Sequence, residues 1–144
     1  MGKTTTVARI TNIKDEMKAE FNLITKNEIR EITVPDALVD TGSTSLTMPS
    51  RLIKQLGLNQ FTTKLMKTTN GDRMAGIYGP VRLTIQDRSC TLDVAEGPDS
   101  IPVLIGQVPL ELLDYVVDSR AQKLIGNPAH GGEHCFEEYG ENLY

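Results

Sequence analysis

Hydrophobic and polar positions alternate along most of this chain, and several of the apolar runs end in a glycine turn. Thr4 to Ile13 mixes Thr, Val and Ile with little turn chemistry, which predicts a strand. The charged stretch Lys14 to Glu20 follows as a turn or short helix. Phe21 to Val34 contains a second strand region that stops at Pro35, and Ala37-Leu38-Val39 is a further apolar strand. Pro49 to Leu56 reads as a helix closed by Gly57 at its C-terminal cap. Beyond it, Phe61 to Thr69 and Asp72 to Tyr78 flank Asn70-Gly71, the strongest short hairpin signal a sequence carries. Val81 to Gln86 and Ser89 to Glu96 form another hairpin around Asp87-Arg88, and Gly97-Pro98-Asp99 breaks the sheet.

Strand, glycine turn and helix occur twice. The first copy runs from Ala37 through Gly42 into the helix at Pro49. The second runs from Ile101 through Gly106 into Pro109-Leu110-Glu111-Leu112-Leu113, a short helix with Pro in its first turn. Only the first copy carries an acid. Asp40 stands at the end of an apolar strand, where a desolvated carboxylate is costly unless it is paired and hydrogen-bonded. Thr41, Gly42 and Ser43 directly behind it supply hydroxyl donors and a stretch of backbone bare enough to pack closely.

The run Asp40-Thr41-Gly42-Ser43, the Asn-Gly hairpin and the later Leu104-Ile105-Gly106 occur in the order found in retroviral-type aspartic peptidases, the retropepsins, and the chain resembles that family. Leu112 to Asp118 and Lys123 to Pro128 resemble the C-terminal portion of its bacterial members, so the resemblance spans Glu28 to Pro128. It implies a mostly β fold, a closed barrel with one or two short helices, whose functional unit is a two-fold homodimer. It also implies a peptidase domain over 28–128, an N-terminal strand and turn extension over 1–27, and a C-terminal tail over 129–139. Gly140 to Tyr144 looks like the remnant of an engineered cleavage tag.

The same resemblance assigns roles. Asp40 is the catalytic acid, Thr41 locks two such turns across the axis, and Gly42 lets backbone meet substrate. Ser43 donates to the catalytic carboxylate, and because a donor favours the charged form, the working range is expected to move to more acidic pH. Thr69, Asn70 and Gly71 form the tip of a flap over bound peptide. Leu104, Ile105 and Gly106 form the second glycine turn. Retroviral enzymes carry an ion pair at the positions of Thr44 and Gln107, and here both charges are absent together.

Length makes the dimer necessary. With 144 residues, 39% of them hydrophobic, the chain can bury one core. Pepsin-like enzymes hold two Asp-Thr/Ser-Gly motifs on one longer chain, whereas this sequence has one copy. Asp99-Ser100 and Asp118-Ser119 lack the glycine. Peptide hydrolysis by carboxylates needs one ionised to activate water and one protonated to donate to the carbonyl oxygen. An isologous interface supplies both from one gene copy, and repulsion between the two acids splits their titration, as is established for aspartic proteases. The expected activity is endopeptidase cleavage of peptide or protein substrates. The rival is a dimeric peptide-binding module of the same fold that no longer cuts.

The remaining composition narrows the partners. Net charge is −4 and no stripe of Lys and Arg forms, so nucleic acid is not expected. Neither a secretory core nor a bilayer-spanning run is visible, so no membrane is expected and a cytoplasmic protein is the default. Two cysteines, Cys90 in a predicted strand and Cys135 near the tail, do not make a disulfide framework. His130, His134 and Cys135 would converge on a metal only within a helix or tight turn, and Gly131-Gly132 argues against the helix. No metal and no cofactor are expected.

Overall fold

The computed structural model describes residues 3–140, so residues 141–144 of the expected tag remnant lie outside the described residues. Among these, nine strands and three short α-helices follow one another: β1 (Thr4–Asn12), α1 (Ile13–Glu20), β2 (Glu31–Val39), β3 (Leu46–Pro49), α2 (Ser50–Gln55), β4 (Asn59–Thr68), β5 (Gly71–Ile85), β6 (Arg88–Gly97), β7 (Leu104–Ile105), α3 (Gln107–Leu113), β8 (Tyr115–Asp118) and β9 (Lys123–Gly126). The main sheet has the order β1-β2-β7-β3-β6-β5-β4, and β5 also pairs with β1. That extra pairing closes six strands into a barrel and leaves β4 outside it. β8 and β9 form a separate two-stranded ribbon.

Alternating side chains fill the barrel. Val81, Leu83 and Ile85 of β5 point inward while Arg82 and Thr84 between them are half-exposed. They meet Ile10, Leu46, Met48, Val94 and Ile105 from the other staves, all fully buried, and Leu110 and Leu113 of α3 close one side. β1 belongs to this wall, so part of the segment before residue 28 is a barrel stave.

Three helices form where one or two were expected for the barrel. The segment read as a turn or short helix at Lys14 to Glu20 is the helix α1, and it depends on Asn12, whose side chain accepts from the Asp15 N–H at 3.1 Å and so caps it. Its amide also donates to the Leu56 carbonyl at 2.8 Å, filling an acceptor at the end of α2. A buried asparagine thus serves two helix ends. Pro35 does not stop a strand either. The β1–β2 register steps from Thr6↔Ala37 to Ala8↔Val34, so Val7 faces both Pro35 and Asp36, and the proline's missing donor falls within a bulge. The two strands expected around Gly79-Pro80 are one 15-residue strand, β5, with a register shift at that dipeptide.

One ion pair anchors the first loop. Buried Asp15 receives Nε and Nη2 of Arg30 at 2.8 and 2.9 Å and the Arg30 backbone N–H at 3.0 Å. The Arg30 side chain bonded to it, outweighing the effect of burial, holds the Asp15 carboxyl below the ordinary carboxylate range. A depressed folded-state value means the stabilisation is present above the unfolded value and is lost as pH falls through the folded one. The guanidinium is half-exposed, which screens the pair. Asp15→Asn is therefore expected to cost about 1–2 kcal/mol in urea unfolding at pH 7, with the gap to the parent closing at acid pH. An equal gap at both pH values would be inconsistent with the assignment.

Candidate active site

The end of β2 carries the acid into a turn. Leu38 N–H donates to Val103 O at 2.8 Å and Asp40 N–H to Ile105 O at 2.9 Å, so β2 is held parallel to β7 up to the carboxylate itself. Ala37 and Val39 point into the core, which leaves half-buried Asp40 at the barrel edge. Its two oxygens are then gripped from the same turn: Gly42 N–H donates to Oδ1 at 3.0 Å and Ser43 Oγ–H to Oδ2 at 2.8 Å. The Ser43 N–H closes the turn onto the Asp40 carbonyl at 3.1 Å. A carboxylate with a donor on each oxygen is held in one orientation.

The second glycine turn completes the support. Gly106 N–H donates to Ser45 O at 3.0 Å, Gln107 N–H to Ser43 O at 2.7 Å and Val108 N–H to Thr44 O at 2.9 Å. The first amides of a helix have no partner within it, and α3 has no side-chain cap at Gly106. Carbonyls 43 to 45 of the acid's own turn serve instead. This approach is so close that a Cβ on Gly106 would stand 2.6 Å from the carbonyl oxygens of Ser43 and Ser45 and 2.7 Å from the Thr44 carbonyl carbon. The missing charges at Thr44 and Gln107 leave this seam to backbone bonds, while the Gln107 side chain reaches only Glu111, at 3.4 Å.

The structure therefore brings Asp40, Thr41, Gly42 and Ser43 together with Leu104, Ile105 and Gly106. Thr69, Asn70 and Gly71 stand apart from them. They lie at the tip of the β4–β5 hairpin, whose contacts there are its own: Thr68 Oγ1 donates to Gly71 O at 2.6 Å and accepts from Asn70 N–H at 3.2 Å. Thr68 pairs with Gly71, so the loop is Thr69-Asn70 and not Asn70-Gly71. Gly71 opens β5 at φ +111°, a backbone setting that suits glycine. Nearer its base the hairpin roofs a recess of about 230 Å³, where Lys64 and Ile77 face Thr44, Ser45, Leu46, Val94 and Val108. That recess begins directly beyond the Asp40 turn.

A family model described as aspartyl protease matches residues 25–108, from before β2 to the start of α3. The chain belongs to this retropepsin-like aspartyl protease family. No curated protein matches it. The matched span contains the Asp40 turn, the whole β4–β5 hairpin and Gly106. No helix among its described residues is long and apolar enough to cross a membrane. Cys90, packed at the edge of the core, has its thiol pushed up to about 11 by burial, which makes it an inert packing residue. Sequence reasoning did not single out Asp114, a buried carboxylate in the left-handed position that ends α3. Nothing local marks it, because the groups that satisfy it lie from Asn127 to Cys135.

Proposed function

We propose that two copies of this chain assemble about a two-fold axis into an aspartic endopeptidase, in which Asp40 of each copy supplies half of the acid and base set. The observation that carries this reading is the state of Asp40 within one chain: both oxygens are held by donors of its own turn, and among the described residues no second carboxylate is bonded to it. Family membership supports proteolysis, and one carboxylate alone cannot both activate water and protonate the leaving group. Thr41 and Gly42 are exposed beside it, which suits them to meet a partner copy and a substrate backbone. The separate β8–β9 ribbon has outer edges that a second copy can pair with, in place of the missing ion pair at Thr44 and Gln107.

Substrate peptide would then add as an extended strand between the 40–45 turn and the β4–β5 hairpin, with Thr69, Asn70 and Gly71 at the moving tip and one side chain in the recess under Lys64. Backbone bonds would give affinity and the recess selectivity. Water, held between two acids that share one proton, attacks the scissile carbonyl with no covalent enzyme intermediate. The pair titrates as a unit. Ser43→Ala, which removes a donor to the ionised form, is expected to shift the acid limb of the pH–rate profile to higher pH; an unmoved limb would remove that role from Ser43.

Digestion of a peptide library from acidic to neutral pH, run at rising protein concentration beside sedimentation, tests the whole reading. Specific activity should rise as the dimer forms and fall with a pepstatin-type inhibitor. Peptide binding without cleavage at any pH would instead mark a binding module of the same fold.

A further inference from the structure

We propose that the C-terminal segment carries a divalent-cation site of the zinc class, formed by Asp114, His130 and Cys135. A carboxylate oxygen, a ring nitrogen and the thiol of these residues all lie within 4.8 Å of one another. They come from the end of α3 and from two points of the chain beyond β9, so the cluster joins pieces of sequence 16 and 21 residues apart. One nitrogen, one oxygen and one sulfur ligand form a donor set that suits zinc and leaves a fourth, water-filled position.

The arrangement around the ring supplies an independent argument. His130 Nε2 lies 2.9 Å from Glu137 Oε1, and Nδ1 lies 2.7 Å from Asp114 Oδ2. An Nε2–H donated to the Glu137 carboxylate leaves Nδ1 as the ring nitrogen that faces Asp114 and Cys135, which is the arrangement of a carboxylate–histidine–metal triad, in which the outer carboxylate sets the tautomer. Asp114 is oriented in the same way, since its Oδ1 accepts from Asn127 Nδ2 at 3.2 Å and its side chain is 7% exposed. His130 and Asp114 are thus pre-aimed by partners of their own.

The adjustment needed is small. Tetrahedral zinc with ordinary bond lengths separates N, O and S ligands by about 3.3–3.6 Å. His130 and Asp114 would open from their contact, and the exposed Cys135 side chain would turn inward by about an ångström. Arg88 binds the carbonyls of Leu113, Asp114 and Gly132 and already frames the loop. The cation would clip that loop to α3. The glycine pair that argued against a helical site is what lets the loop fold back: Gly131 and Gly132 take φ +64° and +80°.

Cobalt(II) added to the apo protein tests this with a readout that activity does not influence. One equivalent per chain should give thiolate-to-cobalt absorption that zinc displaces, and zinc should protect Cys135 from alkylation. Cys135→Ser should abolish the sulfur band, Cys90→Ser should retain it, and Glu137→Gln should weaken binding about 10–100-fold. Both cysteine variants are readable without touching buried Asp114, so misfolding cannot mimic the result. Absence of the sulfur band in the parent protein, with Cys135 equally reactive with and without zinc, would assign the cluster to an imidazolium ion pair and overturn the site.

Discussion

Asp40→Asn is expected to lower peptide cleavage by about 10²–10⁴-fold while leaving urea unfolding and sedimentation unchanged. Asparagine keeps an acceptor for the Gly42 N–H, and its amide can donate to Ser43 Oγ, so the turn retains its bonds. What disappears is the group that ionises. A stronger form of the experiment mixes subunits. If the site is built from two chains, exchanging parent and Asp40→Asn chains in equal amounts should cut the activity of each parent subunit by about half, because a mixed dimer has only one titratable acid. Activity that stays proportional to the parent chain alone would place the whole site in one copy and end the dimer reading.

The features legible in the sequence are those written in short windows. Strand alternation, the Asp40 turn and the glycine-ended run at Gly106 all lie within stretches of a few residues, and each is where it was expected. The failures arise where distant pieces meet. Pro35 reads locally as a stop, yet a bulge in β2, where Pro35 and Asp36 together face Val7 of β1, absorbs it. The Asn70-Gly71 pair reads as a two-residue turn, but Thr68 uses its hydroxyl to close the loop one residue earlier. Between the turn and the short helix that Lys14 to Glu20 left open, the helix is decided by its cap Asn12, which is held by the end of α2 forty-four residues away. Asp114 is the extreme case: a buried carboxylate whose partners are Asn127, His130 and Cys135, the last two in a segment read only as tail.

Gly106→Ala is expected to damage stability and activity together, and Gly42→Ala to separate them. At Gly106 the added carbon meets three backbone atoms at 2.6–2.7 Å, none of which can rotate away. Relief requires the Asp40 turn and α3 to part, which stretches the bonds from Gly106, Gln107 and Val108 to carbonyls 45, 43 and 44. Overpacking of this kind costs about 1–3 kcal/mol, read as a lower urea midpoint, and the same displacement moves Ser43 and with it the carboxylate it steers. At Gly42 the nearest atom to an added carbon is Asp40 Oδ1 itself, at 3.3 Å, with nothing else within 4 Å. That substitution should leave the urea midpoint close to the parent and yet reduce cleavage, since it crowds one carboxylate oxygen and the path of substrate backbone. If Gly106→Ala unfolds at the parent's midpoint, the two turns are not locked in the way their hydrogen bonds describe, and Asp40 would be aimed by its own turn alone.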